Sequence, residues 1–137
     1  MALDPSRYEG LARFRHVLRQ FLAFSEVATR EEGITPQQYQ AMLVIKTHPD
    51  STVMIGDLAA EMLLQHHGAV QLIDRLVRAG LVERHRSDAD HRVVLASLTE
   101  DGAQRLERLA ANHSRELLKY EPLLAESLRR LGGIGRL

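Results

Sequence analysis

The 137-residue chain has no cysteine. That absence excludes disulfides, thiolate zinc sites, cysteine nucleophiles and thiol redox sensing together. No apolar run approaches the ~18–20 residues needed to cross a bilayer. The opening, MALDPSRYEG, lacks the basic and then apolar stretch that directs secretion. An intracellular, cytoplasmic protein with no membrane partner is therefore expected. Excess charge is missing too, with 18 Lys and Arg against 18 Asp and Glu and a net charge of zero. A polyanionic partner would have to be met by locally grouped cations, because no global field attracts it. There is neither a glycine-rich phosphate loop nor a G-x-S-x-G elbow. No spacing of histidines and acids marks an acid–base pair, so neither an enzyme nor a cofactor is expected.

What is present is an ordinary globular composition, 45% hydrophobic and 26% charged, over a length that suits one domain with its own core. Asp4 and Pro5 form a helix start, and Leu11, Phe14, Leu18, Phe21 and Ala28 recur at helical spacing, with Leu22 beside them. This first helix is expected to end near Gly33 in a left-handed turn. The segment TPQQ at 35–38 reads as a capping box, opening a helix that stops before Pro49. The β-branched segment STVMI at 51–55 suits a stub of strand, and a short helix is expected over 56–63.

Residues 66–79 form an amphipathic helix, with Ala69, Leu72, Ile73 and Leu76 on one side and His67, Gln71, Asp74, Arg75 and Arg78 on the other. Two strands over 81–86 and 92–98, around the polar loop SDADH, read as a β-hairpin. Thr99 caps the next helix, whose stripe of Ala103, Leu106, Ala110, His113, Leu117 and Tyr120 has the narrow spacing of a pairing seam. Pro122 breaks it, a last helix covers 123–131, and the glycine-rich tail after it is expected to fray. The fold class is mainly α with a small β-hairpin wing. It is a winged helix-turn-helix over 35–98, with N- and C-terminal dimerisation helices over 4–33 and 100–131.

The stretch LQHHGAVQ at 64–71 raises the question of a metal. Adjacent histidines on a helix point ~100° apart and do not converge on one ion. His66 is expected on the apolar side, capping or packing against the helix start, and His67 on the exposed face. Asp88 and Asp90 have D-x-D spacing, but Arg92, Val93 and Thr99 stand where a calcium loop needs an oxygen ligand, a glycine and an acid. No metal site is expected from either pattern.

The segment LIDRLVRAGLVERHRSDADHRVVLASLTEDG, with DLAAEML before it, resembles the MarR family of bacterial transcription regulators. The resemblance rests on Leu58, Ala59, Asp74, Arg75, Leu76, GLVER at 80–84, Asp90 with Arg92, and LT..G at 98–102. It implies a homodimer, most simply a repressor, on a pseudo-palindromic duplex operator, with 66–79 as recognition helix and 84–92 as wing. DNA-contacting positions would be His66, His67, Gly68, Val70, Gln71, Arg75, Arg84, Arg86 and Arg92, with Asp90 orienting an arginine. Gln71 suits adenine and Val70 a thymine methyl, Gly68 permits close backbone approach, and wing arginines suit a narrow minor groove. Many members carry hydroxyl or basic residues at positions 68, 70 and 71, so the base preference here differs from theirs.

Residues 66–92 hold five arginines against four acids, so phosphate attraction requires those acids to be turned away or paired. His67, His85 and His91 would take up protons near phosphates and tighten binding as pH falls toward 6. The resemblance also implies release by a small aromatic or anionic ligand, with His16, Arg19, Tyr39 and Met42 on elements that would line its cleft. Two alternatives stay open. One is zinc sensing through His16, His48 and His113. The other is a winged-helix module for protein association without DNA binding.

Overall fold

The computed structural model describes residues 2–132; the expected fraying of 133–137 lies outside them. Six helices are present: α1 (Pro5–Glu31), α2 (Pro36–Thr47), α3 (Ile55–Glu61), α4 (His66–Arg78), α5 (Glu100–Lys119) and α6 (Glu121–Arg130). Three strands accompany them: β1 (Thr52–Met54), β2 (Val82–Arg86) and β3 (Val94–Leu98). The chain divides into two compact units, one of residues 29–110 and one of residues 1–28 with 111–137.

In the 29–110 unit the local signals act as read. The Gln38 N–H donates to Thr35 Oγ1 at 3.1 Å, and the Thr35 N–H donates back to Gln38 Oε1 at 2.8 Å, closing the capping box. Gly33 and Gly80 take the left-handed conformation (φ 76° and 77°) that ends their helices. The expected hairpin is wider than the sequence pattern implied. β1 pairs antiparallel with β3, Val53 opposite Ala96, so the stub becomes the third strand of a sheet ordered β1-β3-β2. The core of this unit draws on Met42 and Ile45 of α2, Val53 of β1, Leu58 of α3, Ile73 and Leu76 of α4, Leu81 before β2, Ala96 of β3 and Leu109 of α5.

Two boundaries differ from expectation. α3 stops at Glu61 and not near 63, because Leu63 turns left-handed (φ 56°). The Leu64 N–H then reaches the Ala59 carbonyl (2.9 Å) and the Leu63 N–H that of Ala60 (3.3 Å), the double bond of a helix-ending Schellman turn. Between α2 and β1, Pro49–Ser51 form a single 3-10 turn with Asp50 and Ser51 at φ 58° and 49°.

The start of α5 is fixed onto the turn before β2. Thr99 Oγ1 donates to the Gly80 carbonyl (2.7 Å) and accepts the Gly102 N–H (3.0 Å). The Thr99 N–H donates to the Leu81 carbonyl at 3.1 Å. The two backbones come so close that a Cβ on Gly102 would lie 2.0 Å from the Leu81 oxygen. The LT..G pattern is therefore a cap plus a close approach.

The other unit combines the first part of α1, the last part of α5, and α6. Val17 is buried, and a Cβ on Gly10 would lie 2.8 Å from the Ser127 carbonyl oxygen. The buried His113 ring hydrogen-bonds Ser25 Oγ at 2.9 Å and meets Phe21 and Phe24 edge-on. A buried polar pair of this kind is satisfied by its partner and surrounded by apolar contact. The apolar stripe of α1 lies mostly outside the unit's core: Leu11, Phe14, Leu18 and Leu22 are 41–49% exposed. Leu117, Leu118, Leu123 and Leu128 are exposed as well.

Candidate nucleic-acid interface

α4 buries Ala69, Leu72, Ile73 and Leu76 against the lobe and leaves His67, Gln71, Arg75 and Arg78 exposed. The division follows the 100° step of the sequence pattern. Gly68 stands at the edge of the exposed face, in line with Gln71 and Arg75 at steps of three and four residues. Val70 points to the other edge, where it lines an open groove of about 590 Å³. The start of α3 (Met54 to Asp57), His66 and Val70 of α4, and Arg84, His85, Arg86, Arg92, Val93 and Val94 of the wing enclose this groove.

His66 is where the structure corrects the sequence reading. It is exposed and lines the groove as the first residue of α4, whose N-cap, Gln65, makes no side-chain cap bond. At the first helical position no preceding turn exists for the ring to pack on, and the wing leaves open space on that side. His85 and Asp57 also line the groove. Sequence reasoning gave Asp57 no site role, because it precedes α4 by a whole turn motif and only the tertiary fold brings it there.

Two of the four acids of the 66–92 segment, Asp74 and Asp90, are paired with arginines. Asp74 on α4 bonds Arg84 on β2, tying the helix to the wing. Asp90 takes Arg92 in a fork: Nε to Oδ1 and Nη2 to Oδ2, both 3.1 Å, with the Arg92 N–H also on Oδ1 at 3.0 Å. Those bonds to Arg92 hold the Asp90 carboxyl below the usual carboxylate range. The fork forms the loop itself, because the Asp90 carbonyl also accepts the Val93 N–H (2.9 Å), and the Val93 carbonyl accepts the Ser87 N–H (2.9 Å). Arg86 Nη1 donates to the His91 carbonyl at 2.8 Å, fastening the tip to β2. Asp90 thus bonds Arg92 of its own loop, and Arg84 is held by an acid within its own lobe.

The remaining site residues distribute differently. Tyr39 and Met42 are buried side by side on α2, with burial pushing the Tyr39 hydroxyl's pKa upward. His16 and Arg19 are exposed on α1. His48 faces the Glu61 carboxylate at 3.1 and 3.2 Å, and His113 is the buried partner of Ser25. Among the described residues no group of three or more His, Asp or Glu is placed to hold a metal ion. Nor is any helix among them long and apolar enough to cross a membrane.

Residues 32–93 match the sequence profile of the MarR family. The chain is 30% identical over 113 residues to the HTH-type transcriptional regulator YsmB of Bacillus subtilis, covering 80% of this chain and 76% of that protein. The chain belongs to the MarR family. Two further relatives from the same organism are the organic hydroperoxide resistance transcriptional regulator (37% identity, 52% of this chain) and the transcriptional repressor MdtR (26% identity, 70% of this chain). The matches span 47% and 61% of the lengths of those two proteins. The fold matches that of the Streptomyces coelicolor MarR family regulator Sco3205, solved in complex with DNA, with a TM-score of 0.76 at 20% identity over 99% of this chain and 87% of that one. The MarR family comprises transcriptional regulators, and this chain shares the winged-helix fold of its members.

Proposed function

We propose that this MarR family member binds a pseudo-palindromic duplex DNA operator as a homodimer in the cytoplasm and represses transcription from it. The carrying observation is the exposed face of α4, with His67, Gln71 and Arg75, set beside a groove lined by Arg84, Arg86 and Arg92. A helix of this kind fits the major groove, where Gln71 can make its two hydrogen bonds to adenine, while a wing reaches the adjoining minor groove. Pairing with arginines occupies two of the four acids of 66–92, Asp74 and Asp90.

The exposed leucines of α1 and α6 supply the dimer surface, since apolar patches of that extent on a single chain mark an interface. Two copies then read half-sites about 34–36 Å apart. Repression follows the precedent of MdtR. A small aromatic or anionic molecule is the releasing signal, with exposed His16 and Arg19 as its cationic contacts.

Fluorescence anisotropy with duplex DNA from upstream of the protein's own gene, against a scrambled duplex, tests this reading. Arg75, Arg78 and Arg86 pair with no carboxylate among the described residues. Six such cations in a dimer give a log K against log salt slope of about −5. Absence of DNA binding at low salt would overturn the reading. Leu18→Glu is expected to shift the protein toward monomer in analytical ultracentrifugation and to weaken operator binding with it.

A further inference from the structure

Gly68 has no packing reason within its own chain. A Cβ built on it meets nothing within 4 Å, whereas one on Gly102 or Gly10 would collide with backbone. Gly68 also lacks the left-handed backbone that Gly33, Gly80 and Gly132 adopt. It sits inside α4, where glycine is a poorer helix former than alanine. A glycine that weakens its helix where an added side chain would meet nothing internal is explained by what approaches from outside. The face concerned is known: Gly68 precedes Gln71 by one turn and Arg75 by two, and both are exposed.

We propose that Gly68 is a specificity-determining residue whose missing side chain makes room for the 5-methyl group of one operator thymine. This inference rests on the DNA-binding reading above and deepens it. On the major-groove floor the thymine methyl is the apolar group that distinguishes A·T from the other pairs. Where a helix comes close enough for its backbone to meet that methyl, a Cβ fills the same space and holds the helix off the groove. Gln71, one turn further on, then loses its reach to the neighbouring adenine. A phosphate contact at the same place would be shared by every DNA sequence, so it would not discriminate.

The test uses the full chain and a duplex selected from a random-sequence pool by the wild-type protein, with a scrambled duplex as reference. Gly68→Ala is expected to unfold at the same temperature as wild type or higher. It should bind the selected duplex about tenfold more weakly, within the range one base contact commands, and the scrambled duplex unchanged. Replacing thymines one at a time with deoxyuracil should identify a position at which the penalty of Gly68→Ala largely disappears. Equal binding of variant and wild type to the selected duplex would overturn the inference. So would the same loss on both duplexes, or a penalty that no uracil position relieves. A wild-type protein that selects no sequence over the scramble would remove the operator reading itself, and the inference with it.

Discussion

Leu63 is held in a left-handed turn that its side chain disfavours, which makes Leu63→Gly a direct test of how α3 ends. An L-residue in this conformation costs about 1–2 kcal/mol relative to its usual regions. The Leu63 side chain is 92% exposed, so the substitution removes almost no buried contact. Against the relief stands the greater freedom of glycine in the unfolded chain, worth about 0.4–1 kcal/mol. The balance is a stabilisation of about 0.5–1 kcal/mol, or about 2–4 °C in melting temperature for a chain of this size. Circular dichroism at matched protein concentration measures it, matching being essential because the proposed dimer would make the midpoint concentration-dependent. Leu63→Ala is the control. It keeps the Cβ and its strain, so it stays within about 0.5 kcal/mol of wild type. Glycine and alanine variants with the same midpoint would refute the strain argument.

Gly102→Ala should destabilise by at least about 2 kcal/mol, read as a lower urea midpoint, because its Cβ would lie 2.0 Å from the Leu81 carbonyl oxygen and a backbone must move. A midpoint unchanged from wild type would mean that α5 is not seated on the Gly80–Leu81 turn. Glu32 gives a pH signature. Arg108 holds its carboxylate in a fork, Nε to Oε1 at 3.0 Å and Nη2 to Oε2 at 3.2 Å, and depresses its pKa. A depressed carboxylate stabilises fully above its unfolded pKa, and the contribution is lost as pH falls through the folded one. Wild type should therefore lose stability more steeply than Glu32→Gln as pH drops through and below the ordinary carboxylate range; parallel acid limbs would exclude the fork as a source of stability.

The helices were legible wherever local chemistry decides them. Thr35 with Gln38, Pro36, Thr99 and Gly80 mark ends that the structure places within a residue or two, because caps and left-handed turns are settled by neighbours in the chain. The face of α4 was legible for the same reason, since a 100° step fixes which side chains oppose Leu72 and Leu76. Leu63 was not, because leucine carries no signal for a left-handed turn. The third strand needed the pairing of Val53 with Ala96, more than forty positions apart, which no local pattern encodes. Tertiary packing also hid the site's electrostatics: Asp74 and Arg84, ten positions apart, meet only after α4 and β2 are docked. The α1 stripe was readable as apolar but not as exposed, because periodicity shows that a face needs cover and not which chain supplies it.

The pairing of Asp74 with Arg84 and of Asp90 with Arg92, in a chain of zero net charge, bears on how such a protein is distributed along a chromosome. A strongly basic regulator is soaked up by the ~10⁶–10⁹ competing sites of a genome, and most of its copies idle on irrelevant sequence. Here two arginines of each lobe are already engaged by acids of the same chain, and the remaining acids offset much of the rest. On the proposed operator binding, non-specific residence would be correspondingly brief and a larger share of the copies would stay free to find the operator. Fewer molecules per cell would then suffice to occupy it.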